Sequence, residues 1–160
     1  MLRTYLLTLL LGVVPVSELR GAIPFAYLNG VPLWLSFILG VVSNALVPFI
    51  GFLFFATLHK LLDKWGFYHN LFEKTIQRAR IKVGEKIRKY GLLGLMLFVA
   101  IPLPITGAWT GTMGAWFLGL NRRRSILFII LGVVIAGIIV STVVYTGAGI
   151  ASIFTKTIEL

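Results

Sequence analysis

The stretch Ala100-Ile101-Pro102-Leu103-Pro104-Ile105-Thr106-Gly107-Ala108-Trp109-Thr110-Gly111 lies at the centre of an uncharged run from Gly91 to Leu120. A bilayer is spanned by about 20 apolar residues, so the run is long enough to cross. Its two central prolines argue against one continuous helix. Each lacks an amide donor and pushes the preceding residue away from helical geometry. The run reads as two half-helices joined by an irregular tip.

Charge decides whether those half-helices cross or return. Upstream lie Lys60, Lys64, Lys74, Arg78, Arg80, Lys82, Lys86, Arg88 and Lys89, with Asp63, Glu73 and Glu85 among them; downstream lies Arg122-Arg123-Arg124. One crossing between these clusters would put them on opposite faces, against the cytoplasmic bias of Lys and Arg. A hairpin that enters and leaves on one side keeps both cytoplasmic. Irregular backbone at membrane depth is tolerated where protein buries it or water reaches it. The charge pattern therefore predicts a re-entrant hairpin.

Composition agrees with a membrane setting. Of 160 residues, 58% are hydrophobic and 12% charged, and the mean hydropathy is +0.96. A soluble domain carries about 25% charged residues. The length suits a single membrane domain, residues 1–160. With no cysteine, disulfides and thiolate chemistry are excluded, and two histidines with five acids leave little for a metal site. No metal or cofactor is expected. The net charge of +10 falls in loops between apolar runs, so it reads as orientation rather than as a nucleic-acid surface.

Three other apolar stretches complete the pattern. Tyr5 to Val16 is too short to span and is followed by Ser17, Glu18, Arg20 and Pro24. Arg3 flanks it as in a signal peptide, but no small-x-small cleavage site follows. It reads as a second broken hairpin. Val31–Leu58 and Ser125–Phe154 are uncharged and long enough to cross. The tips are expected at Pro15, Gly21 and Pro24, and at Pro102, Pro104, Gly107 and Gly111.

An internal repeat is visible. Ile38-Leu39-Gly40-Val41-Val42 recurs as Ile130-Leu131-Gly132-Val133-Val134, Gly21-Ala22 as Gly107-Ala108, and Gly30 as Gly119. The expected fold is an all-α integral membrane protein, an inverted repeat of re-entrant helical hairpin plus transmembrane helix. Residues 1–58 and 91–160 form the repeats, with both termini outside. The connector, 59–90, holds a basic amphipathic helix over about 70–89, where Tyr68, Phe72, Ala79, Val83, Ile87 and Tyr90 recur at helical spacing. Such a helix lies on the cytoplasmic interface against anionic lipid. Two full crossings per chain favour a homodimer.

Chemistry concentrates at a few positions. Glu18 and Arg20 are the only formal side-chain charges between Arg3 and Lys60. An ionisable residue at membrane depth is costly and marks a functional site by default. The guanidinium of Arg20 is suited to phosphate or carboxylate, and Glu18 either pairs with it or takes up a proton. Thr106 and Thr110, near the second tip, offer hydroxyls to an anionic headgroup or back-bond to freed carbonyls. Trp109 stands beside the same tip. Asn44 binds ligand or joins helices, and Pro48 kinks the helix after it. His59 and His69 fall in the basic region. No nucleophile elbow, phosphate loop or zinc-protease motif is present, so no enzymatic activity is expected.

Ser17-Glu18-Leu19-Arg20-Gly21-Ala22-Ile23-Pro24 resembles the Glu-x-Arg-Gly-Ala-x-Pro signature of the putative small multi-drug export protein family. Pro102-Leu103-Pro104-Ile105-Thr106-Gly107-Ala108-Trp109-Thr110-Gly111 resembles that family's second motif, Pro-x-Pro-Gly-Thr-Gly-Ala-Trp, with Ile105 in place of glycine. Asn44 matches a polar position in the family's first long helix. The family name implies efflux. More distantly, the architecture resembles the DedA membrane proteins, whose paired re-entrant hairpins act on lipid carriers.

The expected function is a small transporter, proton-coupled through Glu18. A phosphate-bearing lipid carrier would bind between the hairpins at Glu18, Arg20, Asn44, Thr106, Trp109 and Thr110. Export of small cationic drug-like molecules is the first alternative, and a non-transport, lipid-organising protein the second. The expected partners are membrane lipids and a small-molecule or lipid-phosphate substrate, without nucleic acid.

Overall fold

The computed structural model describes residues 1–62, 90–103 and 106–158. The amphipathic segment expected over 70–89, with His69, Pro104 and Ile105, lies outside the described residues. Among the described residues seven helices follow in order: α1 Leu2–Val13, α2 Glu18–Leu28, α3 Leu33–Ala45, α4 Val47–Leu62, α5 Tyr90–Ala100, α6 Ala108–Phe117 and α7 Arg122–Ile158. The secondary structure of these residues is all helix and turn. Leu33–Thr57 (25 residues) and Arg122–Gly147 (26 residues) are long and apolar enough to cross a membrane.

The first of these long segments is interrupted. Pro48 has no N–H for the Asn44 carbonyl four residues earlier, so α3 stops at Ala45. The chain passes through a turn at Leu46, whose carbonyl accepts from the N–H groups of Phe49 and Ile50 at 3.1 and 3.2 Å. Pro48 itself sits in the first turn of α4, where its missing donor costs least.

Two compact units are present, Met1–Asn44 with Val134–Leu160, and Ala45–Val133. In the first unit α1 packs along α2. Gly12 lies so close to Ser43 that a Cβ there would fall 1.8 Å from Ser43 Oγ, and one on Gly137 would fall 2.9 Å from Phe37 Cε2. In the second unit α4 packs along α6. Phe55 stacks on Trp116 with ring centres 5.7 Å apart. Arg122 stands over the Phe52 ring at 5.7 Å, a cation–π contact that holds the start of α7.

Several local features recur at a spacing of 89 residues. Helix α2 ends with Gly30 at φ 83°, and α6 with Gly119 at φ 63°. Only glycine adopts that left-handed conformation without strain. At the first, the N–H groups of Asn29, Gly30 and Val31 donate to Phe25, Tyr27 and Ala26. At the second, Leu118, Gly119 and Leu120 donate to Gly114, Trp116 and Ala115. Both are Schellman closures, which satisfy the last carbonyls of a helix. The next helices open alike, with Ser36 N–H on the Pro32 carbonyl at 2.9 Å and Ser125 N–H on Asn121 at 2.8 Å.

Burial keeps the same register. Leu19, Ala22, Ile23 and Ala26 on α2 are matched 89 residues later by Ala108, Gly111, Thr112 and Ala115 on α6, all buried. Ser36, Gly40, Ser43 and Asn44 are matched by Ser125, Ile129, Gly132 and Val133, again all buried. The preceding helices correspond at 87, with Thr8 and Gly12 matched by the buried Leu95 and Val99. The offset thus grows by two residues across the break, from 87 to 89. At this spacing residues 38–42 fall opposite 127–131, three positions short of the identical pentapeptide at 130–134.

Candidate functional site

The break between α1 and α2 is four residues long, 14–17, and contains the exposed Pro15. Helix α1 closes with the Val14 N–H on the Leu10 carbonyl at 3.1 Å, and the Glu18 N–H then returns to Val14 at 3.0 Å. Helix α2 begins at Glu18 itself. Gly21 and Pro24, expected on the tip, lie inside α2 instead. Their helix-breaking character is overridden because Gly21 gives room for the Ser17 side chain, whose Oγ would lie 2.1 Å from a Cβ there. Pro24 needs no donor of its own and only withdraws one from the Arg20 carbonyl.

Glu18 is 6% exposed and has φ 50°, the only non-glycine residue with positive φ among the described residues. For a residue with a Cβ this region is disfavoured by roughly 1–2 kcal/mol. Strain of this kind clusters at ligand clamps and switch regions. Arg20, half-buried, lies within electrostatic reach of Glu18. Helix α2 therefore carries a buried carboxyl on its first residue and a guanidinium two positions on, both engaged in interactions.

Asn44 is fully buried on α3. Its Nδ2 donates to the Gly12 carbonyl at 2.9 Å, near the end of α1. Asn44 thus joins helices, one of the two roles its place in an apolar run suggests. Its Oδ1 is buried and accepts no hydrogen bond among the described residues. Beside it the Ser43 hydroxyl donates to Leu39 and Gly40 carbonyls at 2.7 and 3.1 Å.

In the other unit the second break is held by Thr106. Its hydroxyl accepts from the Leu103 N–H at 3.1 Å and bonds the carbonyls of Ile101 and Leu103. Thr110 donates to Gly107 at 3.3 Å. Both threonines therefore make the back-bonds that proline-broken backbone invites. Gly107 is buried and extended, and Pro102 and Trp109 are half-buried. At Gly111 a Cβ would fall 2.6 Å from Val99 Cγ2, so the glycine allows α5 and α6 to approach closely. The two groups of candidate residues, Glu18, Arg20 and Asn44 on one side and Thr106, Trp109 and Thr110 on the other, belong to different compact units.

Sequence reasoning missed the buried Thr8, Ser36, Ser125 and Thr112. The first two and the last bond their own helix backbone. Ser125 Oγ has no hydrogen-bond partner among the described residues. Each stands inside an apolar run, and nothing in the pattern separates them from lipid-facing hydroxyls. The described residues hold no group of three His, Cys, Asp or Glu able to bind a metal.

No curated protein and no solved structure matches the chain. A family model described as "Putative small multi-drug export protein" matches residues 18–139. That span begins at Glu18 and takes in Arg20, Asn44, both glycine closures and the second break. With its two long apolar helices and a match over most of its length, the chain is a membrane protein belonging to the small multi-drug export family.

Proposed function

We propose that the protein is a small transporter in which α1–α2 and α5–α6 are re-entrant hairpins and α3–α4 and α7 cross the membrane. The halves are related as an inverted repeat, with residues 59–90 and 122–124 cytoplasmic and two chains forming the working unit. The 89-residue register supports this reading, because repeated broken helices beside a crossing helix are the construction of many secondary transporters. Rocking of one repeat against the other would alternately open the site.

The observation that carries the reading is the Glu18–Arg20 pair. A buried carboxyl on strained backbone, beside a guanidinium in an otherwise uncharged membrane segment, is expensive to maintain without a function. Arg20, the more accessible of the two, receives the anionic phosphate group of a lipid carrier. Glu18 takes up the coupling proton. The test is flux in proteoliposomes with an imposed pH gradient. Wild-type flux should follow the gradient, and Glu18→Gln should abolish that dependence; wild-type flux indifferent to the gradient removes proton coupling.

The family description favours a second reading, export of small cationic molecules with Glu18 as their counter-charge. The two readings separate on Arg20→Ala. Loss of binding to phosphate-headgroup lipid supports the first, and retained efflux of a cationic dye with no lipid binding supports the second.

A further inference from the structure

We propose that the groove between α3 and α7 holds one acyl chain of a bilayer phospholipid. The groove lies within a single compact unit and has a volume of about 530 Å³. It is lined by Trp34, Phe37 and Ile38 of α3 and by Ile138, Ser141 and Thr142 of α7. Ligand clefts commonly enclose about 300–1,000 Å³, so the space is large enough for a bound molecule.

The way the two helices meet creates the groove. A Cβ on Gly137 would fall 2.6 Å from Val41 Cγ2 and 2.9 Å from Phe37 Cε2, so the helices touch there. Helices that cross diverge away from their closest point. One turn onward along α7 comes Ser141, one turn back along α3 comes Trp34, and the wedge opens between them.

The lining selects the occupant. It contains no charged residue. The Thr142 hydroxyl is spent on the Ile138 carbonyl at 2.9 Å, and Ser141 Oγ is itself enclosed. A water held in a cavity needs about two to four polar partners, and this wall offers few. An empty wedge forfeits the dispersion contacts of its lining. Both walls belong to the helices long and apolar enough to cross a membrane, so hydrocarbon is the medium at hand. A second copy fits less well, because a two-fold contact sets the same patch on itself, hollow against hollow.

Two exposed aromatic residues set the depth. Trp34 stands at the start of α3, and Tyr145 lies one turn beyond Ser141 on the same face of α7. Tryptophan and tyrosine gather at the membrane–water interface. The groove therefore opens just beneath headgroup level, where a chain enters while its glycerol ester stays beside the two rings. Such a site requires only the membrane setting, and neither the hairpins nor a transported substrate.

The test is photolabelling in phosphatidylcholine vesicles that contain phosphatidylcholine with a diazirine on one acyl chain, with adducts mapped by mass spectrometry. Adducts should concentrate at Phe37 and Ile138 and exceed those at Val143, which is comparably exposed on α7 to Ile138 but lies outside the groove. Thr142→Phe places a ring in the groove and should lose the adducts at Phe37 and Ile138 while keeping those at Val143. Thr146→Phe, one turn on, should change neither set. Wild-type adducts at Ile138 no more frequent than at Val143 overturn the site and leave only lipid passing over the surface. So do adducts at Phe37 that persist in full in Thr142→Phe. Should that variant not fold, the wild-type ratio decides alone. With no native cysteine, Thr142→Cys reads the other occupant. It should stay monomeric on oxidation in the vesicles, and a disulfide-linked dimer overturns the lipid and puts a second copy in the groove.

Discussion

Ile23 on α2 occupies the space that Gly40 on α3 leaves open: a Cβ on residue 40 would fall 2.6 Å from Ile23 Cγ1. At the 89-residue spacing Gly40 corresponds to Ile129 and Ile23 to Thr112, so the close approach of Ile23 to Gly40 has no counterpart with a glycine at residue 129. Gly40→Ala should therefore overpack the α2–α3 contact and cost about 1–3 kcal/mol. Gly114→Ala is the control, because nothing lies within 4 Å of its Cβ position. It should be neutral or stabilising by up to about 1 kcal/mol, the helix-propensity gain. Thermal unfolding in detergent checks both.

Glu18 offers a separation of stability from activity. Glu18→Gly relieves the positive φ and should raise the unfolding midpoint, whereas Glu18→Gln keeps the strain and should not. Both should lose the proton-dependent component of flux. A lower midpoint for Glu18→Gly than for Glu18→Gln would show that losing the side-chain contacts at this position outweighs the relief of strain.

Arg20 distinguishes charge from geometry. A guanidinium presents a planar fork to phosphate, and an ammonium presents a point charge. Arg20→Lys should retain weak binding of phosphate-headgroup lipid, and Arg20→Ala should lose it. Equal binding by the alanine variant excludes Arg20 from the headgroup site.

The absence of native cysteine makes topology directly measurable. Single substitutions Lys82→Cys and Arg123→Cys should react with an impermeant maleimide from the same, cytoplasmic, side. Reaction from opposite sides would replace the re-entrant α5–α6 hairpin with a crossing.

The all-helical class and the two long apolar helices were legible in the sequence, and the reasons are physical. The two central prolines marked the second break, and Gly30 and Gly119 marked two helix ends because positive φ selects glycine. The pentapeptide identity gives a different spacing, 92 residues. Ile38 and Val42 are exposed on the helix surface, where apolar character suffices and residue identity carries no register. The start of α2 was hidden for a different reason. Gly21 and Pro24 carry helix-breaking signals, yet close packing on Ser17 and a single withdrawn hydrogen bond leave the helix intact. At the candidate site, Asn44 announced itself as a polar residue in an apolar run. That one face of its amide is tied to Gly12 and the other left open required coordinates.

The contact of Gly137 with Phe37 joins residues 100 positions apart, and it sets an order of assembly. The unit 45–133 is contiguous in the chain, whereas its companion needs Met1–Asn44 together with Val134–Leu160. During synthesis, the contiguous unit has all its residues once Val133 is made, before the rest of α7 follows. The first 44 residues emerge earlier yet wait for α7, with the α3 face around Phe37 and Val41 uncovered until then. Long-range closure of this kind slows folding and prolongs exposure of apolar surface. The N-terminal segment is therefore the part of the nascent chain most in need of protection, and truncations from the C-terminus should injure the beginning of the protein before its middle.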